Sequence, residues 1–170
     1  MPKADPHAAQ RDGRRLALSA LFEADFGQHT AGRVLERELE AEGVAEPAAD
    51  LARQIVSAVV AQRDVIDAQI ERLAPQYPVV QLARIDRALL RSGIAELLHC
   101  RTPARVSIAE WVELARTYSG EPARRLVNGV LGRVAADATD RGRDMPASGN
   151  SSEGGQDRHT GGSPNGSFDI

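Results

Sequence analysis

Residues 85–134 read IDRALLRSGIAELLHCRTPARVSIAEWVELARTYSGEPARRLVNGVLGRV, and their patterning decides the fold. Leu89, Leu90, Ile94, Leu97 and Leu98 recur at helical steps, as do Leu126, Val127, Val130, Leu131 and Val134. Between these rows, Thr102-Pro103 ends a connection. Ser107-Ile108-Ala109-Glu110 then has the form of a capping box, with Val106 and Trp111 spaced as a hydrophobic staple across it. A helix is expected to start there, with Val112, Leu114, Ala115 and Tyr118 free for packing. Ser119-Gly120-Glu121-Pro122 breaks it and starts the next. Asn128-Gly129 is a turn dipeptide by local chemistry, yet the apolar period runs straight through it. The pair is therefore placed inside a helix. Gly129 and Gly132 each cost about 1 kcal/mol there, which a closely approaching helix backbone would explain.

Upstream, a helix is expected from about Gln10 to Phe26, after a mobile stretch over residues 1–9. Leu16, Ala17, Ala20 and Ala24 line one face; Leu18, Phe22 and Phe26 line another. A helix apolar on two faces packs between others, and Gly27 suits its C-terminal cap. Polar side chains follow the same logic on the fourth helix, about Val79 to His99, where Arg84, Asp86, Arg87, Arg91 and Glu96 form the expected polar side. Thr30 can cap a short second helix with Val34, Leu35 and Leu39 inward. Pro47 suits the start of a third. Its apolar stripe, Leu51, Ile55, Val59, Ile66, Ile70 and Leu73, runs until Pro75. Pro75 and Pro78 divide an N-terminal bundle over 10–75 from a C-terminal bundle over 79–139. Residues 140–170, rich in Gly, Ser, Pro and Asn, read as a disordered tail.

Composition agrees with an all-α chain. Of 170 residues, 42% are hydrophobic and only 4% aromatic. The net charge of −3 carries no global nucleic-acid signature, so RNA or DNA binding would need a local basic patch. Cys100 is the only cysteine, which removes an intramolecular disulfide and a cysteine-built zinc site and fits a cytoplasmic setting. No apolar run reaches membrane-spanning length, and residues 1–15 lack the apolar stretch of a signal peptide. His7, His29, His99 and His159 are far apart, and no H-E-x-x-H, G-x-S-x-G, P-loop or dinucleotide glycine motif occurs. No catalytic residue, metal or cofactor is expected.

One local conflict points to a partner. Arg11, Arg14 and Arg15 share one side of the first turns, where cations oppose the helix macrodipole. The cluster fits either an anionic partner or a solvated helix end.

The stretch DRALLRSGIAELL, then VSIAEWVELA, then LVNGVLG resembles the NusB family of transcription antitermination factors, and ALSALFEADF is similar to that family's first helix. The resemblance covers roughly residues 10–137. It implies an all-α fold of two packed helical bundles, six to seven helices in all. It implies binding of boxA RNA with ribosomal protein S10 (NusE), in a complex with other Nus factors and RNA polymerase. By position, Arg11 and Arg14, with Arg15 adjacent, match the basic RNA-meeting segment. The stretch from Ser119 to Leu126, including Glu121, Arg124, Arg125 and Leu126, matches a second RNA-facing stretch. Asp86, Arg87 and Leu90 match part of the S10-facing helix. Asp12 and Gly13 dilute the arginine run, and Pro122 replaces a polar residue. Leu126 stands where other members can present an aromatic, so stacking worth about 1–3 kcal/mol per base is lost there. Two rival readings are a helical protein-interaction module or homodimer without specific RNA binding, and an accessory domain of an RNA methyltransferase.

Overall fold

The computed structural model describes residues 5–41 and 43–144. Six helices carry the fold: α1 (Pro6–Ala24), α2 (Ala31–Leu39), α3 (Glu46–Leu73), α4 (Arg84–His99), α5 (Ala104–Tyr118) and α6 (Glu121–Asp144). No strand occurs among the described residues. α1 packs against α2, α3 and α4, while α4 also packs against α5 and α6. α4 is thus the element shared by both halves. One buried cluster runs through the six helices, from Ala17 and Leu18 on α1 to Val130, Leu131 and Val134 on α6.

Several local signals operate as read. The Thr30 hydroxyl accepts from the Arg33 amide at 3.3 Å and caps α2. Gly27 takes φ +81° after α1, a left-handed conformation with little cost for glycine. The stripe from Leu51 to Leu73 is buried along α3. Asn128 and Gly129 lie inside α6. α3 also bends, at Gln62 (φ −117°, ψ 19°), in the turn where its apolar stripe skips from Val59 to Ile66.

Others are corrected. α1 starts at Pro6, inside the stretch expected to be mobile, because Asp5 accepts from the His7 amide at 3.0 Å and Pro6 supplies a ready-made first turn. The fourth helix does not begin at Val79. Val79–Gln81 is a single 3₁₀ turn, Leu82 and Ala83 are extended, and α4 starts at Arg84. The Ser107 box does not cap α5. That helix begins at Ala104, directly after Pro103, so Ser107 lies buried in its interior and its hydroxyl has no partner. Val106 and Trp111 then lie five apart within one continuous helix and form no staple. α6 continues to Asp144, past the expected tail boundary; the rest of that tail, residues 145–170, lies outside the described residues.

The glycines exchange roles. Apart from the local helix backbone, no atom lies within 4 Å of where a Cβ would sit on Gly129 or Gly132, so close approach explains neither. Close approach occurs at Gly13 instead. A Cβ there would stand 2.6 Å from the Ala48 carbonyl oxygen. Gly13 is what lets α1 and α3 cross tightly.

Candidate nucleic-acid and partner interface

The three N-terminal arginines separate by burial. Arg11 and Arg15 are exposed and form weak ion pairs with Asp5 (3.5 Å) and Asp12 (3.2 Å). Arg14 is 1% exposed. Its Nε and Nη2 donate to the two carboxylate oxygens of Glu96 at 2.9 and 2.8 Å. Trp111 Nε1 donates to the same carboxylate at 2.7 Å, and Glu110 stands 4.0 Å from the guanidinium. Glu96, read from sequence as part of a polar face, is therefore fully buried and holds three donors. Arg14 is engaged inside the protein, which corrects its placement beside Arg11 and Arg15 on an RNA-facing surface.

The second stretch lies at the start of α6. Glu121 and Arg124 are joined at 2.9 Å on the first turn. Arg125 is exposed, and no ion pair joins it to a described acidic side chain. Leu126 is half-buried beside it.

The fold brings the first stretch against the end of α5, just before the second stretch begins. Arg15 and Tyr118 line one depression of about 460 Å³, with Asp12, Ser19 and Glu38 among its walls. Tyr118 ends α5, immediately before Ser119. It was expected to pack inward, but it is 49% exposed. Sequence reasoning misplaced it, because helical spacing alone puts it on the apolar side.

The residues matched to the S10-facing helix diverge as well. Asp86 is half-buried in the first turn of α4, where a carboxylate is favoured by the helix dipole. Its Oδ1 is buried without a hydrogen-bond partner. Arg87 Nε donates to Asp25 Oδ2 at 2.7 Å. Leu90 is 0% exposed; it belongs to the core, which corrects its assignment to an outward contact. Asp25 gathers Arg63 (3.7 Å), Arg84 (3.9 Å) and Arg91 (3.8 Å) besides Arg87. Arg91 is also held by Asp67 at 2.8 Å. The Arg84 guanidinium lies 4.4 Å over the Phe26 ring, a cation–π pair that holds it at the edge of this cluster.

Among the described residues, no group of three or more His, Cys, Asp or Glu side chains is placed to hold a metal ion. No helix there is long and apolar enough to cross a membrane.

Known proteins share this architecture. The NusB family model matches residues 11–136. The transcription antitermination protein NusB of Heliobacterium modesticaldum is 39% identical over 128 residues, which cover 75% of this chain and 62% of that one. The chain therefore spans under two thirds of that relative's length. The protein of the same name from Dehalococcoides mccartyi strain 195 is 38% identical, with 75% and 90% covered. A crystal form of T. maritima NusB superposes with TM-score 0.70 at 30% identity, over 75% of this chain and 91% of that one. A second similar structure is that of the antitermination factors NusB and NusE in complex with dsRNA. It has TM-score 0.67 and 26% identity, covering 76% of this chain and 98% of that one. With a family match spanning α1 to α6 and relatives that share the sequence across the same helices, the chain belongs to the NusB family.

Proposed function

We propose that the chain is a non-enzymatic transcription antitermination factor. In this reading it binds boxA RNA of ribosomal RNA transcripts together with S10 (NusE), and joins other Nus factors on RNA polymerase. The observation that carries it is the juxtaposition of exposed Arg15 on α1 with exposed Tyr118, next to the start of α6. A cation and an aromatic face side by side suit single-stranded RNA, since one meets phosphate and the other stacks on a base. The NusB–NusE–dsRNA complex of the same fold supports the reading.

Arg11, Arg15, Arg124 and Arg125 neutralise phosphates and supply a salt-dependent share of affinity. Glu121 orients Arg124, and Leu126 offers an apolar edge. Asp86 and Arg87, both half-buried at the start of α4, lie at the edge of the face offered to S10, while Arg14 and Leu90 hold the helices that carry these surfaces. S10 contributes RNA contacts of its own, so the pair binds RNA more tightly than either protein alone.

The test is RNA binding by the full chain, with and without S10, on boxA and scrambled RNA. Tighter binding of boxA with S10 present is the expected result. Equal binding of both RNAs in the presence of S10 would sink the boxA reading.

A further inference from the structure

A groove of about 380 Å³ lies between the α3–α4 connection and α6, lined by Tyr77, Pro122, Arg125, Leu126, Gly129 and Arg133 among others. Its chemistry is uneven. No acidic side chain lines it, and two guanidiniums do. Tyr77 is 47% exposed, yet its backbone is fixed. Its amide donates to the Ala74 carbonyl at 2.9 Å, and Pro75 and Pro78 flank the turn. Arg133 Nη1 donates to the Leu73 carbonyl at 3.2 Å. That contact positions the guanidinium and leaves most of its five N–H donors available.

Gly129 completes the pattern. Glycine is disfavoured inside a helix, and no neighbour requires one here, since apart from the local helix backbone no atom lies within 4 Å of its absent Cβ. Its effect is to leave the groove wall bare between Arg125 and Arg133, one helical turn to either side.

We infer that this groove is a base-stacking subsite for single-stranded RNA, with Tyr77 as the stacking face and Arg125 and Arg133 as the phosphate ligands. The inference rests on the RNA-binding reading above and deepens it. Tyr77 supplies, from the opposite wall, the aromatic face that Leu126 lacks. An exposed ring on a fixed backbone turn, beside two cations, suits an unpaired base with its flanking phosphates, because every base has a π-face and single strands expose it. Duplex RNA hides those faces within its own stack.

The test uses the full chain with S10 and boxA RNA carrying 2-aminopurine at successive positions. Wild type quenches one labelled position on binding. Tyr77→Ala abolishes that quench and weakens affinity about 5- to 150-fold, the range of one lost stack. Tyr77→Phe keeps both, since stacking needs the ring and not the hydroxyl. Gly129→Leu fills the groove with Tyr77 intact and gives the same loss. Because Tyr77 and Gly129 are at the surface, thermal melts of the variants report whether folding is preserved. Affinity within twofold of wild type in Tyr77→Ala, or an equal loss in Tyr77→Phe, overturns the subsite. If replacing Arg11 and Arg15 with Glu weakens binding while Tyr77→Ala does not, the subsite falls and the RNA-binding reading stands. If wild type with S10 fails to bind RNA at all, both fall.

Discussion

Arg14 on α1 and Glu96 on α4, separated by 82 residues, meet through two parallel hydrogen bonds with neither side chain open to solvent. Removing one partner strands the other charge in the core, which typically costs about 3–5 kcal/mol. Arg14→Leu and Glu96→Gln should each lower urea-unfolding stability by about that amount. The double variant Arg14→Leu/Glu96→Leu should lose much less than the sum of the corresponding single leucine changes, because no stranded charge remains. Additive losses would show that the pair is not energetically coupled.

Two glycine-to-alanine changes inside helices should have opposite signs. At Gly13 the new methyl meets the Ala48 carbonyl oxygen at 2.6 Å, and overpacking of that kind costs about 1–3 kcal/mol. At Gly129 the methyl enters open space, so helix propensity alone acts, with a gain of up to about 1 kcal/mol. Thermal melts of Gly13→Ala and Gly129→Ala should therefore shift down and up respectively.

Charge reversal at the first helix should separate binding from folding. The double variant Arg11→Glu/Arg15→Glu should weaken RNA binding and flatten its dependence on log salt by about 0.7 per lost phosphate contact, the single-strand value. Its melting temperature should stay near wild type, as both side chains are exposed and their ion pairs are of the weak surface kind. An unchanged salt slope would remove these arginines from the RNA contact.

The Cys100 thiol should resist alkylation at neutral pH. Burial pushes its pKa up to about 11, with the Glu96 charge adding to the rise and Arg14 opposing it. The thiolate is the reactive form, so iodoacetamide should label the folded chain far more slowly than the unfolded one at pH 8. The sign for stability follows from linkage. A folded-state pKa above the unfolded value near 9 contributes stability that is fully present below pH 9. That contribution is lost as pH rises toward 11.

Local chemistry made much of the fold legible. Thr30 could be read as a cap because its partner amide is three residues away, and the α3 stripe because its period repeats along one helix. Asn128-Gly129 was legible only by letting the apolar period outrank the dipeptide. What stayed hidden depends on distant partners. Glu96 looks like a surface carboxylate until Arg14 and Trp111 arrive from α1 and α5. Gly13 looks like a dilution of a basic run until Ala48 crosses it. Ser107 resembles a cap, but Pro103 starts the helix first, and a local motif carries no information about which of two start signals operates. The candidate interface was half legible for the same reason: Arg11 and Arg15 are exposed as their charge suggests, whereas Tyr118 sits where helical spacing suggested core.

The long separation between Arg14 and Glu96 also orders events on the ribosome. Chains are made from the N-terminus, so α1 emerges with its guanidinium long before α4 can answer it. Until then α1, α2 and α3 can gather, but the one cation destined for their interior has no carboxylate to neutralise it. Burial of Arg14 is thus complete only once α4 has docked and Glu96 has met it.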